Sequence, residues 1–272
     1  MDRKTNSTSP IAGLMAGKRG LICGIANDHS IGWDIARTLH DAGAELALSY
    51  QNASFKRRVE PLGAALGSSL ILPCDVTEPG KIESMFAELQ TCWDTLDFVV
   101  HALAWSDRDE LKGRYIDTSH DNFRDTLSVS CYSFTELARH ATKMMVPSSA
   151  LLTLTFEGAG RVMPSYNVMG VAKAALEASV RYLAADLGAD GIRVNAISAG
   201  PMRTLAGSAI SGSRFIYGWH GRNAPLGRNL ETGEIGKSAL YLLSDMASAV
   251  TGEILYVDAG YHTVGMVAID ER

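Results

Sequence analysis

The sequence predicts a single α/β domain whose seven strands form one parallel sheet, wound on both faces by helices. Three observations carry this. Short apolar runs alternate without interruption with segments of helical character, and a strand buried on both faces reads as such a run rather than as an in/out alternation. No Pro- or Ser-rich linker, repeat or low-complexity tract divides the 272 residues. The polar residues of chemical interest also cluster just after the apolar runs, where doubly wound sheets bind their ligands.

Taken in order, residues 20–24 (GLICG) form the first run, followed by the polar turn IANDHS and a helix over 31–42. Residues 45–50 (ELALSY) are a second strand and 54–66 a second helix. Residues 70–75 (LILPCD) and 98–103 (FVVHAL) are the third and fourth strands, with a helix over 81–93 between them. A long helical stretch follows over 122–145. The fifth strand, 150–155, is a run of buried-strand length; Gly158, Gly160 and Pro164 break its pattern, and an Ala-rich helix begins near Ser165. Residues 193–198 (RVNAIS) are the sixth strand, 234–243 a helix and 254–258 (ILYVD) the last strand. One unbroken alternation of this length gives a Rossmann-type domain over 13–272, preceded by a polar lead over 1–12.

Composition narrows the function classes. A hydrophobic content of 46% with 20% charged residues fits a sizeable core, and a net charge of −5 gives no basic footprint for nucleic acid. No apolar run approaches a membrane span, and the opening MDRKTNSTSP lacks the apolar core of a secretory signal. The four cysteines form no CxxC pair; Cys23 and Cys74 read as small buried thiols, which fits a reducing cytoplasm. None of the seven histidines pairs at metal-ligand spacing, so no metal is expected and they read as structural.

The chemistry concentrates on LLTLTFEGAGRVMPSYNVMGVAKAALEA, residues 151–178. Tyr166 and Lys173 lie seven residues apart, two turns along one helix face. An ammonium held there favours the phenolate, and such a tyrosine can donate a proton or a strong hydrogen bond to an oxygen that becomes negative. Spacing alone also fits an amphipathic helix with a solvent-facing lysine. After the first strand, Gly24 permits a tight turn, and Ser30 with the following helix amides can hold a diphosphate; Ser30 as a plain N-cap is the alternative. The GxGxxG fingerprint is absent. Gln51, after the second strand, is neutral and can bond a ribose hydroxyl, which favours NADH over NADPH. Asp75, after the third strand, is placed either to accept from an adenine amino group or to serve as a turn residue.

Residues 202–226 mix Gly and Ser with Ala206, Ile210, Phe215, Ile216, Tyr217 and Trp219. This reads as a lid whose apolar face covers an acyl chain, or as a helical pair packed on the core. Arg203, Arg214 and Arg222 there either meet an acidic partner or are solvated surface charge.

GIANDHSIGWDIA, AELALSYQN, CDVTE, the 151–178 block and RVNAISAGPMRTLA together resemble the bacterial NADH-dependent enoyl-acyl-carrier-protein reductases, a divergent branch of the short-chain dehydrogenase/reductase family. The resemblance runs from about residue 13 to 266 and implies a role for each matching residue. Tyr166 stabilises an enolate oxygen while hydride reaches the β-carbon of a trans-2-enoyl thioester on acyl carrier protein. Lys173 holds the nicotinamide ribose. Gly24, Ser30 and Ile31 line the diphosphate, Gln51 the adenosine ribose, and Asp75 with Val76 the adenine. Pro201, Met202 and Thr204 border the nicotinamide. A cytoplasmic homotetramer is also implied; the small residues Gly170, Ala172, Ala174, Ala175 and Ala178 suit a helix interface, and helix propensity explains them equally well.

Two positions depart from the branch. Phe156 stands where a second tyrosine is usual: the ring is kept and the hydroxyl lost. The neighbouring Thr155 is expected to face the other side of the strand and not to replace that hydroxyl. Ala104 stands where glycine is usual, putting a methyl beside the cofactor and inhibitor pocket; weaker binding of flat phenolic inhibitors is expected.

Overall fold

The computed structural model describes residues 11–204, 207 and 212–266. Seven strands, β1 (Arg19–Cys23), β2 (Glu45–Tyr50), β3 (Ile71–Pro73), β4 (Leu96–His101), β5 (Met145–Thr155), β6 (Arg193–Ala199) and β7 (Ile254–Val257), pair in parallel in the order β3-β2-β1-β4-β5-β6-β7. The winding reverses between β1 and β4, so their carboxyl ends open the crevice in which such sheets bind ligands.

Strand side chains alternate between two separate cores. Leu21, Val99, Leu151 and Val194 stand side by side across the sheet and pack with α3 (Lys81–Gln90), α5 (Ser133–Ala141) and α6 (Asn167–Leu187). Ile22, Val100 and Leu152 face the other way, onto α1 (Ile31–Asp41), α2 (Ala53–Ala65) and a helix over Glu234–Leu243. Burial on both faces is the physical reason the strands read as continuous apolar runs. The Asp34 carboxylate of α1 accepts from the backbone N–H groups of Gly233 (2.7 Å) and Gly236 (3.0 Å), tying that last helix, by its amino end, to α1.

The helix expected over 122–145 is not continuous. It consists of α4 (His120–Leu127), a π turn over Ser128–Tyr132, and α5, which ends at Ala141. The wider turn brings the Ser130 hydroxyl onto the loop after β4, where it accepts from the Trp105 N–H (2.9 Å) and donates to the Trp105 carbonyl (3.0 Å). The chain after α5 enters β5 at Met145, five residues before the expected start, because Pro147 disfavours helix at the residue before it. Part of the 202–226 lid expectation, including Ala206 and Ile210, lies outside the described residues, as do residues 1–10 of the expected lead. The described part of that region contains α7 (Ser213–Asn223); Glu234–Leu243 is then α8.

Candidate active site

A cleft of about 1000 Å³ opens at the carboxyl ends of β1, β4, β5 and β6. Gly24 forms its floor. With φ at +104° the residue occupies backbone space that side chains rarely adopt, and a Cβ there would stand 2.2 Å from the Ala102 carbonyl oxygen. Ser30, at the same end of the cleft, caps α1: its hydroxyl accepts from the Trp33 N–H (3.3 Å) and donates to the Asn27 carbonyl (2.7 Å). Ser30 is thus a helix cap, and it also lines the cleft.

Tyr166 and Lys173 line the same cleft, and both are buried. One expectation needs correction. Tyr166 is the N-cap residue of α6 and not part of its regular turns; its neighbours Ser165 (φ 55°) and Asn167 (φ 37°) both hold left-handed backbone. The Asn167 side chain secures this turn by donating to the Glu110 carbonyl at 3.2 Å. The Tyr166 ring packs edge-on against Phe156, 5.1 Å between centroids, and Gly158 lies so close that a Cβ would stand 2.5 Å from the tyrosine ring.

A second correction concerns the tyrosine's acidity. Burial, reinforced by the negative charge of Glu177, raises the Tyr166 phenol above its ordinary value, the reverse of the expected lowering. The group is a neutral O–H donor at physiological pH, and it has no hydrogen-bond partner among the described residues. Lys173 directs its ammonium to the Leu154 carbonyl at 2.9 Å, and burial pulls it down from 10.5 to about 8. The Thr155 hydroxyl donates to Glu177 on α6 at 2.8 Å, so it does not replace the hydroxyl missing from Phe156.

Sequence reasoning missed the support beneath this pair. His101, fully buried at the end of β4, meets Thr153 Oγ1 through Nδ1 and Ser133 Oγ through Nε2, each at 2.8 Å. The Ser133 hydroxyl also donates to the Val129 carbonyl (2.7 Å) and the Thr153 hydroxyl to the His101 carbonyl (3.3 Å). Burial and the nearby Lys173 charge push His101 down to about 3, which keeps it neutral. The only sequence signal for this network was a histidine in an otherwise apolar strand.

Of the remaining candidates, Ile31, Ala104, Phe156, Pro201, Met202 and Thr204 line the cleft. Gln51, Asp75 and Val76 do not; they lie beyond it, after β2 and β3. There the Gln51 amide donates to Asp75 (3.0 Å), whose other oxygen accepts from the Thr77 N–H (2.9 Å) and hydroxyl (2.7 Å). Burial opposes ionisation of Asp75, but these three donors together hold its carboxyl below the usual range. Asp75 thus serves as a turn residue, and Gln51 keeps its carbonyl oxygen for a further donor. The glycine floor without room for a Cβ, a capped helix amino end and a crevice at the winding reversal fit an extended dinucleotide.

Comparison with known proteins agrees with this geometry. The family model described as enoyl-(acyl carrier protein) reductase matches residues 24–262. The chain is 58% identical over 259 residues, covering 95% of each chain, to enoyl-[acyl-carrier-protein] reductase [NADH] 1 of Rhizobium meliloti. The crystal structure of FabI from Candidatus Liberibacter asiaticus superposes with a TM-score of 0.93 at 52% identity, covering 94% of this chain and 100% of that one. The enoyl-(acyl-carrier-protein) reductase of Anaplasma phagocytophilum, solved in complex with NAD, gives 0.92 at 53% identity over 95% of this chain and 98% of its own. The chain belongs to the enoyl-(acyl carrier protein) reductase family.

Proposed function

We propose that this chain reduces trans-2-enoyl thioesters on acyl carrier protein to the saturated acyl thioesters during fatty-acid elongation, using NADH. The observation that carries the reading is that the unpartnered Tyr166 phenol and buried Lys173 line one cleft, where the winding reverses. NADH, when bound, supplies the hydride that reaches the β-carbon. Negative charge then grows on the thioester oxygen, and the neutral Tyr166 O–H donates to it; a hydrogen bond to an oxygen that gains charge in the transition state lowers the barrier selectively. The enolate takes a proton at its α-carbon to complete the reduction. Lys173 contributes positive charge and bonds the nicotinamide ribose. Gly24, Ser30 and Ile31 receive the diphosphate, and Pro201, Met202 and Thr204 border the nicotinamide. Gln51, with Asp75 and Val76, meets the adenosine end.

The lid role expected for 202–226 is supported by its described part, where buried Ile216 of α7 lines the cleft. The assembly is a cytoplasmic homotetramer. The small residues of α6 and the exposed Tyr182 beside them support an interface there, and light scattering tests it. Among the described residues no helix is long and apolar enough to cross a membrane, and all four cysteines are free.

Tyr166→Phe tests the mechanism. It should lower turnover of crotonyl and dodecenoyl thioesters by at least about 100-fold, the scale of losing a positioned proton donor. NADH affinity, read by fluorescence titration, should stay within a few-fold. A Phe variant that turns over like the natural chain removes the role assigned to the phenol.

A further inference from the structure

Because the Tyr166 phenol has no hydrogen-bond partner among the described residues, no such bond sets where its oxygen stands. The backbone on one side of it is anchored through Asn167. The position of the ring, and with it the O–H, then follows from packing. Besides Phe156, the element that packs on the ring is the short 3₁₀ turn over Glu157–Ala159, directly after β5.

Two glycines make that packing possible. A Cβ on Gly158 would stand 2.5 and 2.7 Å from Cδ1 and Cε1 of the Tyr166 ring, and 3.3 Å from Cδ1 of Phe156. Gly158 thus sits where the two rings meet. A Cβ on Gly170, one turn after Tyr166 within α6, would stand 2.7 Å from the Gly158 carbonyl oxygen. Gly170 therefore lets the turn settle onto the helix, and Gly158 lets it close on the tyrosine. Arg161 ties the turn down: its guanidinium donates to the Glu157 carboxylate (2.9 Å) and to the His262 carbonyl (2.6 Å), and its N–H to the Glu157 carbonyl (3.1 Å). Neither glycine holds left-handed backbone, so what each supplies is the space of a missing side chain. Neither lines the cleft, so any effect on the reaction passes through Tyr166.

We propose that Gly158 and Gly170 are positioning residues for the reduction: the close contact they permit fixes the Tyr166 ring and so places its O–H against the substrate oxygen. The proposal rests on the enoyl-reductase reading, with Tyr166 as the donor. Carbon atoms in contact stand about 3.5–4.0 Å apart, so a methyl on Gly158 displaces the ring by about 1 Å. A misplacement of that size in a reacting group costs up to about 100-fold in rate.

The test places Gly158→Ala and Gly170→Ala each in the natural chain and in Tyr166→Phe, and measures NADH-dependent reduction of crotonyl thioester. In the natural chain Gly158→Ala should lower kcat by at least about tenfold, and Gly170→Ala by a smaller factor, since it acts through the turn. KM for NADH should stay within about twofold in both. In Tyr166→Phe no O–H remains to be misplaced, so either alanine should change the residual turnover by less than about twofold. A general loosening of the fold would instead lower turnover by the same factor in both backgrounds. Circular dichroism reports folding of every variant; where Gly158→Ala does not fold, Gly170→Ala is read by the same criteria. A natural kcat in the folded alanine variant overturns the proposal, and so does a loss that recurs undiminished in Tyr166→Phe. The two readings fail separately. Natural turnover by Tyr166→Phe alone refutes the donor role, while a Tyr166→Phe loss to which the alanine adds its full factor refutes only the positioning.

Discussion

Replacing Lys173 by methionine should make the cofactor-free protein more stable at neutral pH while removing its activity. The side chain is buried, with its ammonium on the Leu154 carbonyl, and burial holds it at about 8 against an ordinary 10.5. A displacement of that size corresponds to about 3 kcal/mol of penalty for keeping the charge inside. The sign follows from proton counting. Below about pH 8 the folded and unfolded chains both carry the proton, and the folded state bears the full penalty. Between there and 10.5 the unfolded chain binds more protons, so stability rises with pH until the penalty is gone. Methionine keeps the apolar stem but loses a hydrogen bond worth about 1 kcal/mol. The variant should therefore exceed the natural protein by about 2 kcal/mol at pH 7 and fall below it by about 1 kcal/mol at pH 10.5. Urea unfolding of both proteins at matched concentration, from pH 7 to 10.5, reads this directly, because all other titrating groups cancel in the difference. A stability difference that stays constant across that range, or favours the natural protein at pH 7, refutes the reasoning.

Three further substitutions probe the cleft. Gly24→Ala forces a methyl 2.2 Å from the Ala102 carbonyl at a φ of +104°, and should cost about 3 kcal/mol and abolish NADH binding, read by thermal melting and fluorescence. Phe156→Tyr restores a hydroxyl on a ring already packed 5.1 Å from Tyr166; if that phenol acts alone, kcat/KM for crotonyl thioester should change by less than about threefold. A tenfold gain would show that a second hydroxyl positions the thioester. Ala104→Gly removes a methyl from the cleft wall and should tighten flat phenolic inhibitors by about tenfold in a dose–response titration.

Most of the architecture was legible because its signals are local. The doubly buried strands announce themselves as apolar runs, and β2 and α8 end at the residues the sequence indicates. What escaped depends on contacts between distant segments. The π turn at Ser128–Tyr132 has ordinary helix-compatible residues, and its cause is Trp105, which Ser130 must reach. Tyr166 was expected within a helix because nothing in S-Y-N signals a break; the backbone turns left-handed on both sides of it without a glycine, held by the 110–113 loop through Asn167. The acidity of Tyr166 was misread for a similar reason. Spacing shows that a lysine is near but not that its ammonium is directed to Leu154, nor that Glu177 adds a negative charge at close range.

The two misreadings of Tyr166 fall in the cleft, and the reason is physical. Local rules succeed where each residue adopts the state its own chemistry favours. Around the cleft the fold holds residues in states they would not choose: two non-glycine residues in left-handed backbone, an ammonium in apolar surroundings, a phenol without a partner. Such a site persists only because the two cores on either side of the sheet, and the buried His101 network beneath it, over-determine its geometry. The same rigidity serves the reaction. A neutral phenol that lines the cleft with no protein partner to give up can donate as soon as charge appears on the substrate oxygen. On this account the instability of Lys173 and the reactivity of Tyr166 have one origin, burial that hydrogen bonds do not fully offset, and a substitution that relieves the first should weaken the second.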